Sequence, residues 1–201
     1  MENTEITANT ADKTAIIGRL YKSLITGIKN GNAQIPKEWL SKRKFTIETT
    51  GAGFNSGQIH HRKEQSFKDE LESIGFIKKT NGKSKTGELA YKIFGNYSII
   101  FPLKNKKNEV VNFFAISIEY GKTEYLNNDG IYPMYPSIAT EKLYIAPTIT
   151  ETATILEAKI LKENEAVISL FDEELKQQHL KAISRLEQLK EIIFITKNKV
   201  I

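Results

Sequence analysis

Three short apolar runs alternate with two helical patterns in the second half of the chain. The runs are Leu143–Ile145, Ala166–Leu170 and Ile192–Ile195, and their length and β-rich composition predict strands. One helical pattern follows Pro147, and the other covers Glu173–Lys190. This order of elements, with short connections, predicts a small parallel sheet with right-handed crossovers.

Helical patterns dominate the beginning of the chain. Met1–Lys13 is polar and is predicted to be disordered, whereas the apolar side of Ala15–Ile28 predicts a helix. Pro36–Leu40 is typical of a first helical turn, and Ser66–Ile77 predicts a short amphipathic helix. Between these two segments, the glycines of Ile47–Ile59 indicate a turn-rich stretch.

Antiparallel strands are predicted in the middle of the chain. Tyr91–Phe94, Tyr97–Leu103 and Glu109–Tyr120 have the composition of strands, and Lys104–Asn108 has that of a hairpin turn. Gly121–Pro136 predicts a long irregular connection, and connections of that length inside a compact domain tend to be functional. The expected fold class is therefore α/β, with an α+β N-terminal part.

Charge divides the chain into unequal parts. The formal net charge is +5, and residues 33–100 hold twelve basic and seven acidic side chains, whereas residues 101–201 hold thirteen and fourteen. A local basic excess favours a polyanionic partner such as nucleic acid, although lysine-rich loops also keep proteins soluble. We expect a tail and helix at 1–32, a basic mixed subdomain at 33–95 and a parallel-sheet subdomain at 96–201.

Composition excludes several classes of protein. The chain has no cysteine, which excludes disulfides, thiolate zinc sites and cysteine nucleophiles. No apolar run is long enough to span a bilayer, and the first residues carry acids but no apolar block, so we expect neither a secretory signal nor a membrane partner. These features lead us to expect a cytoplasmic protein.

Few polar residues suggest a catalytic site. Adjacent His60 and His61 point in different directions on a helix or a strand, so they are poor ligands for one metal and are expected at the surface or on a phosphate. His179 is expected to be a surface histidine, and Glu151 and Glu157 are expected to be solvated charges. A further acidic group, Asp172–Glu174, is predicted to begin a helix, where negative charge favours the helix dipole.

Several segments, taken in order, resemble the catalytic core of bacterial-type (DnaG-like) DNA primases, and most closely the primase-like proteins of mobile elements. The resemblance covers roughly residues 33–201. It implies a basic N-terminal subdomain that holds single-stranded template, joined to a Toprim fold that binds Mg²⁺ and nucleotide. The matching segments are Gly51–Arg62, Tyr91–Gly95, Ile99–Leu103, Val110–Ile118, Glu124–Asn128 and the strand–helix series from Lys142 onward.

The resemblance also locates the family's metal-binding carboxylates, which would hold Mg²⁺ at the ends of the parallel strands. The Glu position after the first strand is Pro147 in this chain, and the next acidic position is retained as Glu151. The Asp-x-Asp positions after the third strand fall at or next to Lys197 and Lys199. A lysine about 4 Å from Mg²⁺ would repel it by roughly 8 kcal/mol at an effective dielectric constant of 20. We therefore expect a degenerate and truncated relative that binds no metal or other cofactor.

Three functional hypotheses follow from the sequence. The first is a primase-like protein that binds single-stranded DNA or a primer–template, acts with a helicase or another replication or mobile-element protein, and makes no primer alone. The second is an active primase whose Mg²⁺ site a partner chain completes, and the third is an interaction scaffold that docks through the Ala15–Ile28 helix. The expected nucleic-acid contacts are Lys42, Arg43, Lys44, His61, Arg62, Lys63, Lys78, Lys79, Lys83 and Lys85, the last four in a stretch (Lys78–Lys85) predicted to be a mobile basic loop or a hairpin tip.

Overall fold

The computed structural model describes residues 2–30, 32–61, 63–83 and 89–196, and it has the mixed α/β architecture that the sequence predicts. The helices are α1 (Glu2–Lys29), α2 (Gln34–Lys42), α3 (Ile47–Thr50), α4 (Gln65–Ser73), α5 (Ile149–Ala158) and α6 (Gln177–Ile183). The strands are β1 (Gly53–Asn55), β2 (Ile77–Lys83), β3 (Leu89–Ile93), β4 (Ser98–Lys104), β5 (Val110–Ser117), β6 (Thr123–Tyr125), β7 (Lys142–Ala146), β8 (Glu165–Ser169) and β9 (Glu191–Phe194).

A four-stranded antiparallel sheet in the order β1-β4-β5-β6 lies at the centre of the molecule. Residues on β4 and β5 are almost continuously buried, as the nearly unbroken apolar sequence of both strands predicts. Alternate residues of a strand point to opposite faces, so this central sheet supplies side chains to two separate cores.

One core, the α1-face cluster, packs against the helix α1. Ile100 and Phe113 of the central sheet contact Leu24 of α1, Leu71 of α4 and Ile77 of β2 in this cluster. The hairpin of β2 and β3 therefore lies on the same side of the central sheet as α1. Its antiparallel register pairs the inner Ile77 with Ile93, which anchors one end of the hairpin in the core.

The other core, the α5-face cluster, packs against α2 and α5. Phe101 and Phe114 of the central sheet are in this cluster together with Trp39 of α2 and Ile149 and Ala153 of α5. The side chains that form it therefore come from both halves of the chain. The predicted division at 32/33 and 95/96 stays a prediction.

The second sheet is parallel and has the order β8-β7-β9. The three predicted strands are confirmed, each within one residue at either end. Leu143, Ile145 and Ile168 of this parallel sheet pack against Ala182 and Leu186 at and beyond α6. A short parallel sheet crossed by helices agrees with the partial Toprim-like half that the resemblance implies.

Several sequence predictions are wrong in detail. Residues Glu2–Lys13 continue α1 rather than forming a disordered tail. The stretch Ile47–Ile59 contains a helix and a strand as well as turns, because Thr46 caps α3 through its side chain and Gly51 ends α3 in the left-handed conformation. The helix predicted over Glu173–Lys190 is limited to α6. Of the two alternatives for Lys78–Lys85, a mobile loop is wrong as far as Lys83, because this part is the strand β2 of a hairpin with β3.

None of the helices in the described ranges is long and apolar enough to cross a membrane.

Candidate nucleic-acid interface

The carboxyl edge of the parallel sheet is the place where the family's metal site would lie. Pro147 follows β7 directly, and the carbonyl of Pro147 accepts a hydrogen bond from the Glu173 backbone at 3.2 Å. Proline offers no carboxylate, so the position that the resemblance assigns to a metal-binding Glu cannot coordinate a cation through its side chain.

The retained acid, Glu151, is used to cap α5. The Thr148 hydroxyl accepts the Glu151 backbone N–H at 3.3 Å and donates to the Glu151 carboxylate at 2.8 Å. Thr148 is thus the N-cap of α5, and the Glu151 carboxylate in the first turn orients the Thr148 hydroxyl and favours the helix dipole. Glu151 therefore has a structural role that accounts for its presence without a metal ion.

The second acidic segment at this edge is a tight turn and not a helix start. Asp172 and Glu173 have positive φ values of 47° and 66°, and the turn returns the chain from Phe171 to Glu174. The Phe171 ring stacks on Tyr125 at 4.3 Å between centroids, which joins the turn to β6. Burial raises the pKa of the Tyr125 phenol, so this tyrosine stays neutral at any ordinary pH.

No group of three His, Cys, Asp or Glu side chains in the part of the chain that the structure describes is arranged to hold a metal ion. Lys197 and Lys199, at or next to which the resemblance places the Asp-x-Asp of the family, lie outside the described residues.

Lys42, Arg43 and Lys44 form the first basic group, at the end of α2. All three are exposed, and the Arg43 guanidinium lies 3.7 Å from the centre of the Trp39 ring and donates to the Trp39 carbonyl at 3.2 Å. These contacts hold Arg43 in one orientation. Lys42 and Lys44 have no carboxylate partner among the described residues.

The second basic group lies on and beside the β2–β3 hairpin. Lys78 is paired directly across from Lys92, and because Ile77 points inward, both lysines point away from the core. Lys79 points to the opposite face and pairs with Glu72 at 2.8 Å, so part of its charge is neutralised. Lys83 is exposed at the far end of the strand β2.

His61 and Lys63 extend this hairpin group. The His61 ring lies 4.3 Å from that of His60, which in turn lies 5.6 Å from the ring of Tyr91 on β3. The Lys63 ammonium is 5.7 Å from the Phe67 ring. Arg62 and Lys85, the two remaining predicted contacts, lie outside the described residues.

The central sheet separates the two basic groups. The residues Lys42–Lys44 follow α2, which packs on the α5 face, whereas the hairpin packs on the α1 face. The predicted contacts are therefore not one surface, and a single strand that touches both groups must pass around an edge of the central sheet.

Three residues that were expected at the surface are instead buried or hydrogen-bonded. His179 is completely buried, and its Nδ1 accepts the Lys176 backbone N–H at 2.8 Å, whereas His60 is 9% exposed. Burial lowers the pKa of both imidazoles, and the nearby His61 and Lys68 lower that of His60 further. Glu157 is not a free charge, because its carboxylate accepts hydrogen bonds from the backbone and the hydroxyl of Thr46.

Asn112 is a structurally important residue that sequence reasoning missed. Its side chain donates to the carbonyls of Asn127 and Asp129, both at 2.8 Å, and accepts the Asn127 N–H at 3.0 Å. The signal was a single amide in an otherwise apolar strand, since a buried amide in such a place needs partners. It fixes the loop that connects the central sheet to the parallel sheet.

Comparisons with known proteins support the fold. No family model and no curated protein matches the sequence. Among solved structures, a DnaG primase catalytic domain bound to single-stranded DNA has a TM-score of 0.75 at 11% identity. The match covers 94% of this chain and 62% of that one.

Two further solved structures agree. The RNA polymerase domain of Mycobacterium tuberculosis primase DnaG, in complex with double-stranded DNA that has a 6-nucleotide overhang, has a TM-score of 0.73 at 13% identity, and 94% of this chain covers 64% of that one. A DNA primase domain from Pseudomonas aeruginosa has a TM-score of 0.71 at 14% identity, over 90% of this chain and 60% of that one. This chain thus spans about three fifths of the length of the structures it matches. It has the fold of a DnaG primase catalytic domain.

Proposed function

We propose that this chain is a primase-related protein that binds single-stranded DNA or a primer–template during replication of DNA or of a mobile element. The observation that carries the proposal is the likeness, over 94% of the chain, to a DnaG primase catalytic domain bound to single-stranded DNA. The basic excess of residues 33–100 supports it, because phosphate contacts from Lys and Arg supply most of the affinity for nucleic acid.

A gel-shift titration at two salt concentrations tests the binding. We expect the full chain to bind single-stranded DNA and a primer–template, and we expect the affinity to fall steeply as salt rises, because bound counterions are released. The double variants Lys42→Glu/Lys44→Glu and Lys78→Glu/Lys92→Glu have the same net charge and test the two faces of the central sheet separately. Absent binding, or binding that is indifferent to salt, would contradict the proposal.

The proposal includes the loss of primer synthesis by this chain alone. It is supported by Pro147 at the position of the first carboxylate and by the use of Glu151 as a helix cap. Two-metal phosphoryl transfer needs carboxylates that hold divalent cations close to the reacting oxygens. Mg²⁺-dependent primer formation by the purified chain on a single-stranded template would refute this part of the proposal and leave the DNA binding standing.

A second candidate is an active primase whose site is completed by a partner chain. The observation that favours it is the outer edge of β9, which has no partner strand among the described residues and where Ile192 and Phe194 are 40% and 58% exposed. Unpaired edge strands with exposed apolar side chains are suited to pairing with another chain. This candidate predicts Mg²⁺-dependent primer synthesis only after co-expression with replication proteins encoded beside this chain, and inactivity of every such mixture would exclude it.

A further inference from the structure

A groove of about 560 Å³ lies between α1 and α3, and none of its lining residues belongs to either predicted basic group. Three lysines line it: Lys22 and Lys29 on α1, and Lys104 at the end of β4. The one acidic lining residue is Glu48 of α3, so the groove has a local charge of +2. Sequence reasoning did not select these lysines because they come from three separate positions in an otherwise near-neutral part of the chain.

The lysines of the α1–α3 groove are available for a ligand. Within the ranges that the structure describes, neither Lys22 nor Lys104 contacts a carboxylate. Lys29 is 3.9 Å from Glu48, and both side chains are more than half exposed, so this ion pair is weak and easily exchanged for a phosphate. Lys22 and Lys29 are seven residues apart on one helix, which separates their Cα atoms by about 10 Å along its axis.

The walls of the groove are held rigidly. The Tyr21 hydroxyl donates to the Gly51 carbonyl at 2.7 Å, which ties α1 to the end of α3, and the Tyr132 hydroxyl donates to the Thr50 carbonyl at 3.2 Å. Gly51 has a φ of 66°, and a Cβ at this position would lie 2.8 Å from the Tyr21 hydroxyl. A pre-formed groove loses little conformational entropy when a ligand binds.

Part of the groove lining is apolar and largely aliphatic. Pro102, Pro133 and Met134 contribute to this part, and Met134 is 43% exposed. The one aromatic lining residue, Tyr21, has its ring tilted against Phe113 in the core and its hydroxyl on Gly51, so it is poorly placed to stack on a base. Lysines beside aliphatic lining residues suit a phosphate backbone whose bases make no specific stacking contact.

Resting on the proposed function, we propose that the α1–α3 groove is a binding track for single-stranded nucleic acid. Lys22, Lys29 and Lys104 contact phosphates, and Glu48 competes with the phosphates for Lys29. Since these contacts are to phosphates, which carry no sequence information, binding in this track is largely independent of sequence.

Two double variants of equal charge test the track. Lys22→Ala/Lys104→Ala removes the two unpaired lysines of the groove, and Lys122→Ala/Lys162→Ala removes two exposed lysines outside it. Fluorescence anisotropy with labelled oligo-thymidine, measured on the full chain between about 50 and 200 mM salt, gives the affinity and the salt slope. We expect the groove variant to bind roughly tenfold more weakly, with a log–log slope lower by about 1.4, and we expect the control to bind like the unmodified chain.

A third variant gives an effect of the opposite sign. Glu48→Gln removes the carboxylate that competes for Lys29 and should tighten binding by about threefold, since an exposed ion pair is worth up to about 1 kcal/mol. A merely structural role of these residues would not produce a gain.

The inference fails if the unmodified chain binds and the groove variant binds within the range of the control, or if Glu48→Gln does not tighten binding. In either case the proposed function survives, and the charge reversals at Lys42/Lys44 and at Lys78/Lys92 identify the surface that binds. If the unmodified chain binds no single-stranded DNA at all, both the proposed function and the track are wrong. Circular dichroism of each variant shows whether the fold is retained.

Discussion

The central antiparallel sheet and the smaller parallel sheet are covered to different extents. The inner strands of the central sheet are packed on both faces, by α1 and the β2–β3 hairpin on one side and by α2 and α5 on the other. In the parallel sheet, β7 and β8 are buried, but Ile192 and Phe194 of β9 are exposed. Parallel sheets in globular proteins are normally covered on both faces, so the open strand β9 is unusual.

The two sheets also differ in the elements that they hold together. The central sheet connects the helices of the first half to α5 in the second half through its two buried cores. The parallel sheet has Pro147 at its carboxyl edge, followed by the N-cap Thr148 and its hydrogen-bonded partner Glu151. We therefore expect substitutions in the central sheet to destabilise the fold more than comparable substitutions in the parallel sheet, and the following predictions start from this difference.

The largest effect is expected from a cavity in the central sheet. Phe113 is completely buried, with its ring 6.3 Å from Tyr21 and 6.4 Å from Phe76, so Phe113→Ala should cost about 3–5 kcal/mol of unfolding free energy. Phe194→Ala, the same substitution on β9, should change stability by less than about 0.5 kcal/mol. Urea unfolding monitored by circular dichroism measures both, and equal losses would refute the comparison.

A smaller loss is expected when the loop between the two sheets is released. Asn112→Ala removes two buried hydrogen bonds to the carbonyls of Asn127 and Asp129 and should cost about 2–3 kcal/mol. Gln178→Ala removes an exposed hydrogen bond from α6 to Asn128 of the same loop and should cost less than about 1 kcal/mol. The pair is compared by thermal unfolding, and an Asn112→Ala loss no larger than the Gln178→Ala loss would show that the amide does not hold the loop.

The helix cap at the edge of the parallel sheet should contribute about 1 kcal/mol. Thr148→Ala deletes the side chain that accepts the Glu151 N–H, whereas Thr148→Ser keeps the hydroxyl and should be close to neutral. Chemical unfolding of both variants is the measurement. If Thr148→Ala is as stable as Thr148→Ser, the capping role of this pair is wrong, and Glu151 becomes available for another function.

The last effect vanishes at neutral pH and appears only in acid. Burial lowers the pKa of His179 below its ordinary value of 6.5, so between pH 6.5 and the lower folded-state pKa the unfolded chain binds more protons. Stability from this group is complete above pH 6.5 and declines as the pH falls. His179→Gln should flatten this decline, with His60 leaving a residual slope. The check is to measure the unfolding free energies of the unmodified chain and of His179→Gln at about pH 7.5, 6.5 and 5.5. The same decline in both proteins would show that His179 does not cause it.

Sequence patterns predicted the elements best where each strand carries its own apolar signal. The strands β4, β5, β7, β8 and β9 are all apolar runs bounded by turn residues, and all five are present in the structure. β2 was missed because only Ile77 of this strand is apolar, and it is a strand because Tyr91 and Ile93 of β3 supply the partner. Strand formation of this kind depends on the partner strand, so the sequence of β2 alone does not predict it.

The helix α6 shows how apolar periodicity can predict the wrong buried face of a helix. The apolar periodicity of Glu173–Lys190 places Leu180 on the inner face with Ile183 and Leu186, but Leu180 is 46% exposed. His179 is buried instead, with its ring 5.5 Å from that of Phe171 between centroids. The burial of His179 depends on the turn from Phe171 to Glu174, which leaves the Phe171 ring in contact with the His179 ring. Residue type alone favoured a surface histidine, because histidine is intermediate in its burial preference.

The candidate interface could be predicted only residue by residue. The lysines of Lys42–Lys44 and Lys78–Lys83 are at the surface as expected, but their separation by the central sheet depends on which face each element covers. The α1–α3 groove likewise requires α1, α3 and the end of β4 to be placed together. Charge counts locate a basic segment along the chain but not a basic surface in space.

The position of β4 and β5 between two cores matters for anyone who maps binding by deletion. A fragment that stops before Ser98 keeps α1, α2 and α4 but loses the strands that Leu24, Trp39 and Leu71 cover. Such a fragment would present raw apolar surface to proteases and chaperones. Its failure to retain DNA would then report misfolding and not the absence of a contact, so point changes at surface lysines are the safer way to dissect this protein.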